Sequence, residues 1–207
     1  MSVPTSSKPA VSAVPVDGRR VRGQRNRDAV VDAILSLLHE TGEVPAVSEV
    51  AARSGVSVRS VFRHFDDIES LHAAAVERHM AALVPRYAAL PMSGPLAERV
   101  AGLAAHRSAL FEEIGPIRVV AERLESQSGA VARGLVFARR ALRDQLAALF
   151  AEELQPLSAD DRVELLHALD AVSGWDFWHH LRTLQGCSVA RSRAIVTRTV
   201  NALLRDG

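Results

Sequence analysis

Residues 47–65 read VSEVAARSGVSVRSVFRHF, and they decide the fold of the N-terminal part of the chain. Two short helices that cross steeply need a small residue where they touch and a residue that tolerates positive φ in the turn. Ala51 and Gly55 meet these needs, and Ser57 is a good N-cap for the second helix. Three valines are spaced to bury the hinge between the helices: Val50, Val56 and Val61. The stretch predicts a helix-turn-helix.

The second helix of this pair, about residues 58–65, combines an apolar side with exposed polar and cationic residues. Arg59 and Arg63 are four residues apart and therefore share a face. On a helix in the major groove, such a pair can read guanine O6 and N7 or hold phosphates. A solvated face of an ordinary helical hairpin is the alternative, but the turn, the cap and the valines together favour DNA. The predicted DNA-binding residues here are Ser57, Arg59, Ser60, Phe62, Arg63 and His64.

A basic segment, DGRRVRGQRNR, precedes the helix-turn-helix at residues 17–27. Residues 28–65 hold three arginines against five acidic residues, so the positive charge of this end lies almost entirely in the segment. We interpret it as an arm that binds phosphates or the minor groove, with a solvated basic tail as the alternative. The Pro-, Ser- and Ala-rich residues 1–18 predict a disordered leader. The arm arginines are Arg19, Arg20, Arg22, Arg25 and Arg27.

Helical periodicity continues through the rest of the 207 residues, and no period-two alternation predicts a strand. Asp67 is a good N-cap for a fourth helix, and Gly115-Pro116 predicts a break in a later one. We therefore predict an all-α protein of two domains. Residues 19–73 form the arm and a three-helix helix-turn-helix DNA-binding domain, and residues 74–207 form a helical domain for effector binding and dimerisation.

Composition excludes several classes of protein. The net charge is only +1, so binding to nucleic acid depends on local charge, and no apolar run approaches the ~20 residues of a membrane helix. A lone cysteine, Cys187, excludes an internal disulfide and fits a cytoplasmic protein. The sequence contains no nucleophile paired with a base, no paired acids and no phosphate-binding loop, so it does not predict an enzyme. No cofactor is expected.

The chain resembles the TetR family of bacterial transcriptional regulators over residues 27–73. The resemblance lies in a helix ending at Thr41-Gly42 and in the run VSEVAARSGVSVRSVFRHFDDIESL, which is similar to the family's Ala-Gly-Val turn, aromatic-x-His-Phe run and capped fourth helix. Beyond residue 73 the resemblance is one of architecture only. It implies a homodimer built from the last two helices, a ligand pocket among the middle helices, and release from DNA on ligand binding.

Three positions depart from the family pattern. Ala46 replaces a Ser or Thr that caps the second helix and contacts phosphate, and Phe62 replaces a Tyr whose hydroxyl reaches phosphate. Ile68 replaces a Lys that contacts the DNA backbone. Each change removes a backbone contact, so we expect the folded core to bind DNA weakly and the arm to compensate.

The second half contains weaker signals. GWDFWHH at residues 174–180 concentrates both tryptophans, which could line a pocket or simply pack the core. Asp176, His179 and His180 have spacing compatible with a metal, but no second cluster completes a shell, and no metal is predicted. The candidate effector-pocket residues are Phe111, Phe137, Trp175 and Trp178. The candidate dimer-interface residues, in a near-heptad stripe, are Val189, Val196, Val200 and Leu203.

These patterns together predict a cytoplasmic homodimeric repressor that binds a pseudo-palindromic double-stranded DNA operator. A small, largely apolar effector would release it. The alternative from another class is a helical dimer whose degenerate helix-turn-helix acts through protein contacts rather than DNA.

Overall fold

The computed structural model describes residues 18–87, 90 and 92–206, and within these ranges every regular element is helical, as predicted. Of the predicted leader at residues 1–18, residues 1–17 lie outside the described residues, and Gly18 already begins a helix. A π-helical turn, His180–Leu184, follows α9. The helices are α1 (Gly18–Thr41), α2 (Val47–Ser54), α3 (Val58–His64), α4 (Ile68–Tyr87), α5 (Leu96–Leu124), α6 (Gly129–Leu149), α7 (Ala151–Leu154), α8 (Ala159–Ser173), α9 (Trp175–His179) and α10 (Val189–Asp206).

The ends of the first helices follow the turn chemistry of the sequence. Gly42 and Gly55 have φ angles of 65° and 72°, which residues with a Cβ rarely adopt. Asp67 caps α4, because its Oδ1 accepts a hydrogen bond of 2.7 Å from the N–H of Ser70. The predicted turn and cap are thus confirmed.

The predicted break at Gly115-Pro116 is wrong, because α5 continues through both residues to Leu124. Proline removes one backbone hydrogen bond and disfavours the preceding turn. Contacts of α5 with α1, α6, α9 and α10 hold the helix on several sides and offset that cost. Gly115 leaves room for Trp175, whose Cη2 lies 3.5 Å from the position of an added Cβ.

Two clusters of buried apolar residues organise the molecule. The N-terminal core lies among α1 to α4 and also takes in Val120 of α5. The C-terminal core lies among α5, α6, α8, α9 and α10, with Leu83 of α4. The predicted domain boundary at 73/74 falls inside α4, since Leu71, Ala74 and Ala75 of that helix all belong to the N-terminal core. The members of the N-terminal core are Val30, Val31, Ala33, Ile34, Leu38, Val50, Ala51, Val61, Phe65, Leu71, Ala74, Ala75 and Val120.

Helix α4 joins the helix-turn-helix to α6 at two points. The carboxylate of Glu69 accepts hydrogen bonds from the Ser128 hydroxyl at 2.6 Å and the Ala130 N–H at 2.7 Å, so it caps the start of α6. The Ser128 hydroxyl, with the Ala130 N–H, holds the pKa of Glu69 below its usual value. Further along, Gly134 packs so tightly that an added Cβ would lie 2.6 Å from Cγ1 of Val76.

The predicted dimer stripe on α10 faces the interior of the protomer. Val196 and Val200 are 3% and 0% exposed in the C-terminal core, and Val189 and Leu203 pack against that core at its edge. Helix α10 contacts α5 and α8, which explains the burial. Val196 and Val200 therefore pack within the chain itself and are not available to a dimer interface. Val189 and Leu203 are half-buried, and their assignment to the interface stays a prediction.

Candidate nucleic-acid interface

Helices α2 and α3 pack on α1 as a helix-turn-helix. Val50, Ala51 and Val61 are 1%, 5% and 2% exposed, and Val56 is half-buried beside them. Ala46 precedes α2 without a side-chain cap, but its N–H donates a hydrogen bond of 2.7 Å to Oε2 of Glu49. A carboxylate therefore occupies the N-terminal end of α2.

Ser57 sets the start of α3. Its hydroxyl oxygen accepts a hydrogen bond of 3.2 Å from the N–H of Ser60 and lies 3.0 Å from the Ser60 hydroxyl. With Val61 buried, the opposite side of the helix turns outward. Arg59 and Arg63 are both exposed there, and the apolar Phe62 is 52% exposed between them.

His64 differs from its neighbours, because its ring is partly buried. Burial, together with the nearby charges of Arg63 and Arg27, lowers the pKa of His64. The ring is thus neutral at pH 7 and adds no positive charge to the outward face. Its predicted DNA-binding role receives no support from charge.

The arginine-rich segment forms the first turns of α1 rather than a flexible arm. Arg20, Arg22 and Arg25 are exposed, and Nε of Arg22 donates a hydrogen bond of 3.2 Å to the Gly18 carbonyl. The guanidinium of Arg27 lies 5.0 Å from the ring centroid of Phe65, at the end of α3. The backbone of Arg19 is helical, and its side chain lies outside the described part. The first turns of α1 thus carry exposed cations, and Arg27 joins this basic segment to the end of α3.

The outward face also carries apolar side chains that sequence reasoning did not select. Val58 and Ile68 are 41% and 46% exposed, and Val58 stands one turn before Phe62 on α3. The i, i+4 spacing of Val58 and Phe62 was a signal in the sequence. We call Val58, Phe62 and Ile68, the exposed apolar side chains of α3 and the first turn of α4, the apolar patch.

Three of the four predicted pocket residues lie together in the C-terminal core. The ring centroid of Phe111 is 5.8 Å from that of Trp175 and 6.5 Å from that of Trp178. Nε1 of Trp178 donates a hydrogen bond of 3.0 Å to Glu112. Phe137 does not join them: it lies 51% exposed on α6, so its assignment to the pocket is corrected. An open groove of about 390 Å³ borders the three remaining residues.

A more enclosed apolar cavity lies elsewhere, between α1, α4, α5 and α6. Its volume is about 90 Å³, and we call it the interhelical cavity. The histidines of α4, His72 and His79, belong to its lining. Sequence reasoning missed it because the packing of four helices creates it, and no single motif encodes that packing.

Neither a metal site nor a membrane-spanning helix occurs among the residues that the structure describes. Within residues 18–87, 90 and 92–206, no group of three or more His, Cys, Asp or Glu side chains is placed to hold a metal ion. Across the same ranges, no helix combines the length and apolar character required to cross a membrane.

The sequence matches no protein-family model and no curated protein. Solved structures do share its fold. A transcriptional regulator from Rhodococcus sp. Rha1 has a TM-score of 0.69 at 18% identity, covering 87% of this chain and 96% of its own.

Two further structures are similar. A TetR-family transcriptional regulator from Streptomyces coelicolor has a TM-score of 0.67 at 17% identity and covers 88% of both chains. A protein from Mesorhizobium loti, also described as a TetR-family regulator, has a TM-score of 0.65 at 16% identity over 89% of this chain and 98% of its own. Together with the helix-turn-helix at its N-terminal end, these matches show that the chain has the fold of TetR-family transcriptional regulators.

Proposed function

We propose that the protein is a DNA-binding transcriptional regulator whose helix α3 enters the major groove. One observation carries the proposal: Arg59 and Arg63 stand exposed on one face of a helix that Ser57 caps and Val61 anchors. Guanidinium groups so placed suit bidentate contacts to guanine. The fold shared with transcriptional regulators supports the same assignment.

The first turns of α1 supply the electrostatic part of binding. Arg20, Arg22 and Arg25 are exposed on the first turns of α1, and Arg27 links this helix to the end of α3 through Phe65. Cations that neutralise phosphates release counterions, which raises affinity for any DNA sequence. These arginines compensate for the backbone contacts that Ala46, Phe62 and Ile68 do not make.

The finer proposal is a homodimeric, cytoplasmic repressor that a small apolar effector releases from a pseudo-palindromic operator. Because the valines of α10 face inward, the dimer contact must use the opposite faces of α8 and α10. Val163, His167 and Ala171 form an exposed i, i+4 row on α8. A matching row on α10 consists of Ala190, Ala194, Arg198 and Ala202. Small side chains there permit close approach of two helix pairs.

Light scattering checks this interface. We expect Val163→Asp to yield a folded monomer, because Val163 is 53% exposed within one chain. Val84→Asp is the control, since Val84 is 50% exposed on α4. A dimer that survives Val163→Asp would place the interface elsewhere.

The recognition helix is tested with an operator selected from random DNA by the purified protein. Arg59→Ala and Arg63→Ala are each expected to cost about 1–3 kcal/mol of specific binding free energy, measured by fluorescence anisotropy. Arg140→Ala is the matched control, because Arg140 is an exposed arginine of α6 with a side chain 82% exposed. Unchanged affinity in both α3 variants would exclude this helix from the groove.

The contribution of α1 is separable by salt. We expect the triple change of Arg20, Arg22 and Arg25 to Gln to make the slope of log affinity against log salt shallower by about two to three units. Sequence preference set by α3 should survive. Equal slopes for the triple variant and the wild type would show that these cations stay in solvent.

A second candidate function follows from the apolar patch. Val58, Phe62 and Ile68 are about half exposed, and such groups suit a protein contact as well as a DNA groove. In that case Phe62→Ser would abolish binding to a partner protein while Arg59→Ala would not. Loss of operator binding in Arg59→Ala decides for DNA.

A further inference from the structure

The interhelical cavity separates the N-terminal core from α6. Its walls include Ile34 and Leu38 of α1, Val76 of α4, Leu124 of α5, and Leu135 and Ala138 of α6. A volume of about 90 Å³ is smaller than the ~150 Å³ of an apolar cavity known to hold benzene. An occupant larger than a few atoms must therefore be compact and must widen the cavity.

In the lining of the cavity, the His72 side chain has polar atoms that make no hydrogen bond to any described residue. Both of its ring nitrogens are buried, and neither has a hydrogen-bond partner among the residues described. Oε2 of Glu69 lies 3.9 Å from Nδ1, which is beyond hydrogen-bond distance. A buried polar group without a partner costs free energy that a ligand hydroxyl would recover.

The charge state of the cavity selects against ions. Burial lowers the pKa of His72 and of His79, so both rings are neutral at pH 7. A neutral imidazole offers one donor and one acceptor, which matches the one donor and two lone pairs of a hydroxyl. The cation in the lining, Arg118, already donates from Nε to Oε1 of Glu122 at 3.0 Å.

We propose that the interhelical cavity binds a neutral, single-ring molecule carrying one hydroxyl, such as a phenol, with the His72 ring as its hydrogen-bond partner. The site differs from the aromatic cluster around Trp175 that the sequence suggested. The claim that a ligand in this cavity acts as the effector rests on the proposed function. The claim that the cavity binds such a ligand does not.

The position of the interhelical cavity explains how a bound ligand would affect α3. Widening the cavity would push α4 from α6 beside the close contact between Val76 and Gly134, both of which line it. The same two helices are joined by Glu69, which lies four residues after Phe65 at the end of α3. A ligand in the cavity therefore bears directly on the helix that follows the DNA-reading helix.

Binding is measured on the full-length protein without DNA, by ¹⁹F NMR titration with three probes. These are 4-fluorophenol, 4-fluorotoluene and 4-fluorobenzoate, which share a ring and differ in the polar group. We expect saturable binding of the phenol, about five- to tenfold weaker binding of the toluene because one hydrogen bond is lost, and none of the benzoate. Equal affinity for phenol and toluene, or preferred binding of benzoate, would overturn the proposal.

Two variants locate the site. His72→Phe keeps the ring and removes its nitrogens, so phenol affinity should fall to that of toluene while toluene binding persists and reports an intact cavity. Ala138→Leu fills the cavity and should abolish binding of both probes. Ala148→Leu makes the same change at an exposed position of α6 and should alter neither. Phenol binding that survives Ala138→Leu would place the ligand elsewhere.

The experiments can refute the cavity proposal and the DNA-binding proposal independently of each other. A protein that binds its operator but shows no saturable 4-fluorophenol binding overturns this inference alone. A protein that binds the phenol through His72 but binds no DNA leaves the cavity site intact and overturns the proposed function. Release of operator DNA by the phenol, lost in Ala138→Leu, would support both.

Discussion

The two cores of the molecule treat charge in opposite ways. The N-terminal core buries apolar side chains, and its ion pairs lie outside: Arg53 with Glu40, and Arg78 with Asp28 and Asp32, all have substantial solvent exposure. Among the described residues, the polar and charged ones that are buried as whole residues all occur from residue 99 onward, although the ring nitrogens of His72 are also enclosed. Among them, Arg99 and Arg107 are only 4% and 1% exposed.

Arg99 illustrates what the C-terminal half requires. Its guanidinium donates to the Leu149 carbonyl at 2.6 Å and pairs with Glu153 at 2.5 Å, and its Nε donates to the Gly94 carbonyl. The hydrogen bond from Arg99 lowers the pKa of Glu153. One side chain thus ties the start of α5 to the end of α6. The N-terminal core is thus held by caps and apolar burial, whereas the C-terminal half also contains buried polar residues that tie one helix to another.

The largest expected effect comes from removing such a tie. Arg99→Ala leaves the mostly buried Glu153 carboxylate and the carbonyls of Leu149 and Gly94 without this partner, and should cost about 3–5 kcal/mol of unfolding free energy. Arg53→Ala is the matched change in the N-terminal half, where both partners are about half exposed, and should have little effect. Urea denaturation measures both. Similar losses would remove the distinction between the two halves.

In a second pair of variants, the same glycine-to-alanine change is expected to lower stability at one position and to raise it at the other. Gly134→Ala forces a Cβ against Val76 and should destabilise the protein by about 1–3 kcal/mol. Gly23→Ala in α1 meets no atom within 4 Å and should stabilise by up to about 1 kcal/mol, because alanine favours helices. Thermal unfolding resolves the two. Stabilisation by Gly134→Ala would mean that α4 and α6 separate without cost.

A smaller effect is expected from acid. Burial lowers the pKa of His72, His79 and His106 below the ordinary value near 6.5. Below about pH 6.5 these histidines bind protons more readily in the unfolded chain than in the folded one. Their contribution to the free energy of unfolding is therefore complete above about pH 6.5 and is lost as the pH falls. The urea midpoint should fall between pH 7 and pH 5.5, where carboxylates still remain ionised.

Substitution identifies the source of that pH dependence. His79→Phe should flatten the profile, whereas His180→Gln should leave it unchanged, because His180 is exposed and lies outside the proposed dimer rows. A midpoint that is constant over this range in the wild type would show that the buried rings accept protons in the folded state.

The helix-turn-helix was predictable because its determinants are local. Gly55 in the left-handed region, Ser57 as a cap and Ala51 at the crossing each act within a few residues of the feature they specify. The helical structure of Arg20 to Arg27 was not predicted, because their charge was interpreted as an arm that precedes the first helix. Arginine is a good helix former, and α1 holds no proline between Gly18 and Thr41.

The C-terminal half was less predictable because periodicity does not name the partner of a helix face. The stripe with Val196 and Val200 suits a second subunit or the chain's own core equally well, and the protein uses the latter. Phe111 and Phe137 have similar surroundings in sequence, yet one is 2% and the other 51% exposed. Only the arrangement of α5, α6, α8 and α10 in space separates them.

Val120 makes the two halves inseparable as engineering parts. A segment cut at residue 73 would retain α1, α2 and α3 but lose Ala74, Ala75 and Val120, three buried members of its own core. Chimeric regulators that graft this helix-turn-helix onto a foreign sensor therefore need the whole of α4 and an acceptor helix with a β-branched residue at the position of Val120. Whether the helix-turn-helix can be transferred to another protein therefore depends on how well the surfaces of α4 and the acceptor helix pack together. The position of the cut in the sequence does not decide it.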